Sequence, residues 1–562
     1  MAGLPPTGAG TSEDPYAGIH RGRNETGKDN REEKETFGRD LSDKLVNNMS
    51  PGAVQERAAK GWLWTFVQSG VVLPLAFVVN VVVARKLGVI DYGRLAFLAA
   101  AMGLTSTFAG GGIGWATFQW SVAAWSRGEV DECRRLLSRL TGARLLVQFP
   151  IISLVGYILL RSGSVWLVIL FICVTFVTSA LHSSLLSLSV IQRTSTVAKI
   201  SLIVGPITQV VSLGVALYSP TPDGVFLARY SAAALSPLIA VFIIDRRIRN
   251  ACLHPRWPHR YPAGFWSFST KFWLSGLFGI LVFSRSEVFV FDIFGKTTAL
   301  GIYAIAYAVA GSATTLVDAS AGPLVAGFGS LLATDPFSLS HALLRAQRVV
   351  SFANAMALAV IVPPLVVIVP VLFGRSYKGV GPFVAALAVV ATLRTLKHPV
   401  DALLNARRNA GVLLMSNVWS VLVDFGLAVV LIPLIGVWGA VVAGGAAQGL
   451  SMTFQVRAEL KSQEMSVKEF IGANSMWVWG VACGGLAVLL GEVARTRIGV
   501  PLAVAIAIGV GTLSTSVIAR ATGGALRGND LEAFVGSMPP RLRRTMRLLL
   551  RVWCPKAGGT AG

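Results

Sequence analysis

The stretch LGVIDYGRLAFLAA (87–100) returns later in the chain as FGKTTALGIYAIAYAV (294–309). Both read as an apolar residue and Gly, a short polar turn, then Gly opening a helix rich in small residues. Gly88 falls on Gly295 at an offset of 207, and Gly93 on Gly301 at 208. Further on, IQRTSTVAKISLIV (191–204) lines up with NARRNAGVLLMSNV (405–418), setting Arg193 over Arg407. DGVFLA (223–228) lines up with IGVWGA (435–440) at an offset of 212. Collinear matches at nearly one offset indicate a duplicated unit.

The duplicated unit is a set of membrane spans. Of 562 residues, 53% are hydrophobic and 14% charged, against about 25% charged in a soluble domain. So little charge cannot coat the several globular surfaces that this length would otherwise imply. Apolar stretches of about 20 residues cross the hydrocarbon as helix. Fourteen are read here: 62–83, 94–115, 140–160, 164–187, 198–218, 222–244, 270–294, 299–325, 349–373, 379–402, 411–432, 436–456, 474–493 and 499–521. The expected fold is all-α and polytopic. The repeat unit is six spans, an even number, so the two copies share one orientation about an axis along the membrane normal. Two such lobes enclose a central cleft, which is transporter architecture. Pro363 and Pro364 are expected to kink the ninth span.

This gives a disordered N-terminal tail at 1–60, an N-lobe at 61–245, an inter-lobe linker at 246–269 and a C-lobe at 270–458. Spans 13 and 14 occupy 459–521, and a basic tail fills 522–562. The first apolar segment begins near Trp62, too late and too long for a signal peptide. The five cysteines (Cys133, Cys173, Cys252, Cys483 and Cys554) have no paired spacing, against both a disulfide framework and a metal knuckle.

Charge sets the orientation. The chain carries 50 Lys+Arg against 28 Asp+Glu. Counting charges at the helix ends, connections after the even-numbered spans, with the C-terminal tail, hold 27 Lys/Arg; those after the odd-numbered spans hold 10. The first set is expected to be cytoplasmic, with both termini inside. The basic balance is then topological, and nucleic acid is not an expected partner. In the tail, PPRLRRTMRLLLRVW (539–553) sets Arg543, Arg547 and Arg551 four apart on one helix face. This reads as an interfacial helix drawn to anionic lipids.

The segments ARKLGVIDYGRLAFLAA (84–100), FGKTTALGIYAIAYAVA (294–310) and LLNARRNAGVLLMSNVWSVLVDFGLAVVLIPLIGVWGAVVAG (403–444) carry a family resemblance. They resemble the polysaccharide flippases, of O-antigen and exopolysaccharide type, in the multidrug/oligosaccharidyl-lipid/polysaccharide exporter superfamily. The likeness covers about 60–521. It implies two six-helix lobes, alternating access and movement of undecaprenyl-diphosphate-linked oligosaccharide across the bacterial inner membrane. Other polysaccharide-assembly proteins are possible partners. The flippase branch matches fourteen spans; the multidrug and toxin extrusion branch usually has twelve.

An ionisable residue deep in a membrane is costly and so a functional candidate. The seventh span, SRSEVFVFDIFG (284–295), holds Arg285 near mid-depth, with Glu287 on another face and Asp292 near the outer end. Arg285 is expected either to bind the anionic part of a substrate or to pair with an acid of a neighbouring helix. Asp424 in the eleventh span is one such acid, and either a coupling group or a carboxyl packed in the lobe. Arg394, Lys397 and Asp401 in the tenth span fall on one face in the inner half. They read as a basic mouth for a lipid diphosphate, or as snorkelling groups with a Lys397–Asp401 pair. His398 precedes Pro399 and marks a bend, with a proton relay as the lesser reading. Arg144 and Asp318 are further inner-half charges. Arg85 and Lys86, at the outer end of the first span, break the positive-inside pattern, and either face the cleft or snorkel.

GGGIG (110–114) has no strand before it and no Lys-Ser/Thr after it, so it is not a phosphate loop. It permits close helix approach. Neither a cofactor nor a metal site is expected, and no catalytic residue. A cation-coupled multidrug antiporter of the same fold is the alternative function. A membrane glycosyltransferase or polymerase is disfavoured, because every expected outside loop is about ten residues or shorter, where such enzymes need a sizeable catalytic loop.

Overall fold

The computed structural model describes residues 51–161, 163–191, 193–281, 286–318, 324–325, 328, 331–332, 336–407, 409–463 and 465–522. The N-terminal tail up to Ser50 and the basic tail with its interfacial helix lie outside them, as does Arg285. From Gln55 onward the described helices form one unit.

Among the described residues every regular element is helical. Helices satisfy their own backbone polar groups, which lipid cannot do. Along the N-lobe run α1 (Pro51–Gly110), α2 (Ile113–Ser126), α3 (Val130–Ala143), α4 (Phe149–Leu160), α5 (Val165–Val190), α6 (Thr194–Tyr218), α7 (Pro222–Ala233) and α8 (Leu235–Ile243). The linker forms a short helix, α9 (Arg246–Leu253). The C-lobe follows as α10 (Phe265–Ile280), α11 (Ser286–Ile293), α12 (Thr297–Asp318), α13 (Leu339–Met356), α14 (Val362–Phe373), α15 (Val380–Leu396), α16 (His398–Ala406), α17 (Ala410–Ile435) and α18 (Val437–Gln463). Two more, α19 (Val467–Ile498) and α20 (Val500–Ala521), complete the chain's described part.

Ten stretches among the described residues are long and apolar enough to cross a membrane. One of these, Val67–Gly110, contains two of the expected spans, joined at Gly88. The seventh, eighth and twelfth expected spans correspond to α10–α11, α12 and α18, which are not among the ten.

Local chemistry explains the breaks. Gly88 and Gly295 both have positive φ, 76° and 63°, a region that favours glycine. Gly111 and Gly112 also have positive φ and separate α1 from α2. Thr221 caps α7, its side chain accepting from the Gly224 amide, with Pro222 in the first turn. Asp245 caps α9 through the Arg247 amide at 2.8 Å.

The repeat extends into helix defects. A π-helical turn at Arg144–Gln148 leads into Pro150, and another at Ala357–Ile361 leads into Pro363, both at an offset of 213. Proline offers no N–H to the preceding turn, and a wider turn relieves the clash. The ninth span is therefore irregular where Pro363 and Pro364 predict it.

The packing shows how the lobes meet. The largest apolar cluster draws on both lobes at the end that carries Gly88 and Gly295, including Ala84, Leu87, Leu95, Phe291, Leu300 and Tyr377. At the opposite end the clusters separate. One, around Leu137, Leu188, Ile200 and Ile248, belongs to the N-lobe and linker. Another, around Leu343, Val400, Leu403 and Phe470, belongs to the C-lobe and α19. The apolar core is thus shared between the lobes at one end, whereas at the other the cores are separate and the lobes touch through α2 and α10, where Trp120 packs on Phe265 and Phe268.

Candidate functional site

The joined end is sealed by backbone contact. A Cβ on Gly93 would stand 3.0 Å from the Gly301 amide nitrogen, and one on Gly301 would strike the Val89 carbonyl. Arg85 donates to the Val371 carbonyl across the lobes at 2.9 Å, and Tyr377 donates to the Ala84 carbonyl at 3.3 Å. Arg85 is thus bonded to the opposite lobe, a third arrangement beside cleft-facing and snorkelling. Arg94 makes a two-pronged pair with Asp223 at 3.1 Å. The Val371 contact gives Arg85, which breaks the charge pattern, a partner, while Lys86 beside it is exposed.

Behind this seal lies a cavity of about 290 Å3 between the lobes. Asn80 and Tyr92 line it from α1, and Tyr307, Ser312 and Thr315 from α12. Asn80 is held by Arg229, whose Nη2 donates to Asn80 Oδ1 at 2.8 Å while Nε donates to Ser212 at 2.9 Å. Sequence reading passed over Arg229. The signal was available, since a charge inside the 222–244 span is a candidate by default.

Tyr307 also borders a small pocket in the C-lobe with Glu287, Tyr303, Arg394 and Gln448. Glu287 is 3% exposed and Asp424 0%. Ser286 donates to Asp424 and lies 3.2 Å from Glu287 Oε2, so one hydroxyl bridges the two carboxyls. The remaining Asp424 oxygen, Oδ1, has no hydrogen-bond partner among the described residues. Two carboxylates this close repel each other, and in an apolar interior the pair needs a proton or a bound cation. Among the described residues no group of three or more His, Cys, Asp or Glu stands close enough to hold a metal ion. Asp292 is exposed at the end of α11, apart from this pair.

Arg394, Lys397 and Asp401 do not act as one face, because the helix breaks at Lys397 between α15 and α16. Arg394 reaches Asp318 of α12 at 2.9 Å, and His398 Nε2 lies 2.9 Å from the same carboxylate. Asp401 stays 4.0 Å from His398 Nδ1. Lys397 corrects the snorkelling expectation: it is 1% exposed, and its ammonium donates to Ser451 of α18 at 2.9 Å. In the N-lobe, Arg144 lies beside His182 and Tyr230, and its Nε is enclosed without a hydrogen-bond partner. A Cβ on Gly114 would stand 3.9 Å from its guanidinium. The glycine run also brings α10 close: Ser269 donates to the Gly111 carbonyl at 2.9 Å, and Trp273 to that of Phe108 at 3.2 Å.

The linker is fastened to the N-lobe. Thr141 donates to the Cys252 carbonyl at 3.0 Å, and Arg139 to that of Arg260 at 2.9 Å. Tyr261 stacks on Phe265 at 4.1 Å, and its burial pushes the phenol up to about 12. Burial likewise pushes the Cys252 thiol up to about 11, leaving it unreactive.

A second cavity, of about 950 Å3, opens along the flank of the C-lobe. Apolar residues of α14, α15 and α19, among them Val362, Ala386, Val481 and Val488, form its walls. Lys378, Glu492 and Arg495 also border it. The groove uses α19, which lies outside the six-span repeat.

With this geometry established, comparison with known proteins is informative. Residues 58–324 match the family described as polysaccharide biosynthesis protein. The match covers just under half of the chain and ends in α12 and the residues that follow it. The fold is that of a wider group. The lipid II flippase MurJ, in an inward closed conformation, is similar at 13% identity and TM-score 0.54, covering 82% of this chain and 98% of that one. An inward-facing multidrug resistance transporter of the MATE family in the MOP superfamily is similar at 13% identity and TM-score 0.50, covering 71% and 99%. A MATE protein in complex with MaD3S gives 14% identity and TM-score 0.50, covering 75% and 98%. No curated protein matches the sequence. The chain is thus a multi-pass membrane protein with this fold.

Proposed function

We propose that the protein moves a lipid-linked oligosaccharide or polysaccharide precursor, of the undecaprenyl-diphosphate type, across the bacterial plasma membrane by alternating access. One observation carries this reading: a cavity between the lobes, where Asn80, Tyr92, Tyr307, Ser312 and Thr315 offer polar groups among apolar walls, and an apolar groove on the flank occur in one molecule. A lipid-linked glycan has both chemistries, a polar head for the cavity and an isoprenoid chain for the groove. The match of 58–324 to a polysaccharide biosynthesis family supports the reading, as does the fold shared with a lipid II flippase.

In this reading the sealed end faces outward and the termini lie in the cytoplasm, which follows from the loop charge. The substrate head enters between the separate inner cores. Arg144 and Arg229 supply positive charge to the N-lobe for its diphosphate, and Arg285 adds to this from within its span. The Glu287–Asp424 pair takes a proton or cation as the lobes rearrange. Lys397 and the Asp318–Arg394–His398 group tie α12, α15, α16 and α18 into one rigid body. The reaction is transport, with no bond made or broken.

The buried Glu287–Asp424 pair favours the second reading, a cation-coupled multidrug antiporter, since cationic drugs need acidic sites. Complementation separates the two. Expression in a flippase-deficient strain should restore surface glycan, and Arg144→Gln should remove that rescue at normal protein abundance. Drug resistance gained without glycan rescue would favour the antiporter.

A further inference from the structure

We infer that the fold carries a phosphate-binding site away from the transport cavity, in a pocket of about 450 Å3 between α3 and the linker. The inference does not depend on what the lobes transport. Its walls are fixed before any ligand arrives. Ser138 donates to the His254 carbonyl and accepts, through its own carbonyl, from the Arg256 amide at 3.1 Å. A Cβ on Gly142 would strike the Arg256 carbonyl, so the linker lies directly on α3.

The lining is basic. Arg134, Arg135 and Arg256 face one lining carboxylate, Asp131. Asp131 engages Arg134 Nη1 at 3.0 Å, and Glu132 engages Arg135 at 3.0 Å. One group remains to be satisfied: among the described residues Arg134 Nε is enclosed and has no hydrogen-bond partner. The Arg256 guanidinium, which also lines the pocket, is exposed and adds positive charge at its edge. An enclosed guanidinium N–H without an acceptor is costly, and an anion oxygen is the acceptor that removes the cost. Phosphate supplies several such oxygens and suits guanidinium geometry.

Depth indicates the source. Trp257 and Trp266, on the linker and the first turn of α10, are 67% and 53% exposed. Exposed tryptophans are typical of the membrane–water interface, where phospholipid phosphates lie. The favoured ligand is therefore the headgroup of an anionic phospholipid, and a soluble phosphate compound would use the same contacts. Either ligand would bridge α3 and the linker, stiffening the joint between the lobes.

Native mass spectrometry of the full-length protein in detergent tests this, with phosphatidylglycerol, phosphatidylcholine and sodium phosphate as probes. Wild-type protein should retain one more phosphatidylglycerol than Arg134→Gln/Arg256→Gln, with affinity at that site lowered by about tenfold in the variant, and should show no such preference for phosphatidylcholine. Arg256 has an exposed side chain, so Arg256→Gln alone should fold normally and show the same loss in weaker form. Displacement of the lipid by millimolar phosphate, with thermal stabilisation by phosphate alone, would support the site and assign it to a soluble ligand. Equal phosphatidylglycerol retention by wild type and both variants, without a phosphate response, would overturn the proposal.

Discussion

Gly93 and Gly301 meet backbone to backbone across the lobes, and a Cβ on Gly93 would stand 3.0 Å from the Gly301 amide nitrogen. The two glycines are equivalent in the internal repeat. A residue touching its own repeat partner marks the axis that relates the lobes, so that axis passes through this contact. The contact needs residues without a side chain, and it holds one end of the molecule shut.

Adding a methyl group there should pry that end open. Gly301→Ala meets the Val89 carbonyl, which is backbone and cannot swing aside. The expected cost is about 1–3 kcal/mol of stability, the usual penalty for overpacking. Spin labels placed on the two lobes at this end should move apart, whereas unchanged distances and melting temperature would place the seal elsewhere.

Ser286 and the acids it bridges should respond in opposite ways. Ser286→Ala leaves Asp424 without its donor and should destabilise the protein by about 1–3 kcal/mol. Asp424→Asn removes the repulsion with Glu287, so thermal stability should hold or rise while transport falls by tenfold or more, on the order of 1.4 kcal/mol or above. A variant that melts early but transports normally would make the pair structural.

Much of this was legible in the sequence, and the exceptions have physical reasons. Gly88 and Gly295 could be paired by eye because a left-handed turn demands the same residue in both copies. Pro363 marks a helix defect because proline lacks an N–H, whereas its repeat partner Pro150 stands out only once the π-helical turns before both are seen. Glu287 and Asp424 could each be singled out as costly charges, yet their bridge through Ser286 joins α11 to α17, and no one-dimensional spacing encodes that. Spacing of three and four put Arg394, Lys397 and Asp401 on one face only if the helix ran on. It breaks at Lys397, and Arg394 turns to Asp318 instead. Lys397 was read as snorkelling because Ser451, which receives it, lies on another helix and is invisible to local pattern. Arg229 gains its meaning from Asn80 and Ser212, which lie on other helices beyond the reach of local pattern.

The flank groove gives a test specific to a lipid chain. A Cβ on Gly485 would meet nothing within 4 Å, and Gly485 borders the groove. Gly485→Leu should therefore insert and fold while filling the groove, and should weaken complementation by a flippase without altering expression. Full complementation would remove the groove from the substrate path.

Orientation can be checked with two engineered cysteines in a background whose native cysteines are replaced by Ser. Both sites are exposed in the structure, His259 in the linker and Pro220 between α6 and α7. In intact cells an impermeant maleimide should label Pro220→Cys and spare His259→Cys until the cells are permeabilised. The reverse pattern would invert the molecule and the assignment of the sealed end to the outside.

Translocation of a lipid-linked glycan by this protein is measured directly in proteoliposomes. The purified full-length chain would be reconstituted with a fluorescent undecaprenyl-diphosphate oligosaccharide, and transfer between leaflets followed by quenching from outside. Transfer should exceed that of protein-free vesicles, and Gly485→Leu and Asp424→Asn should reduce it. Vesicles that leave the glycan lipid in place yet exchange a cationic dye for protons would contradict the account.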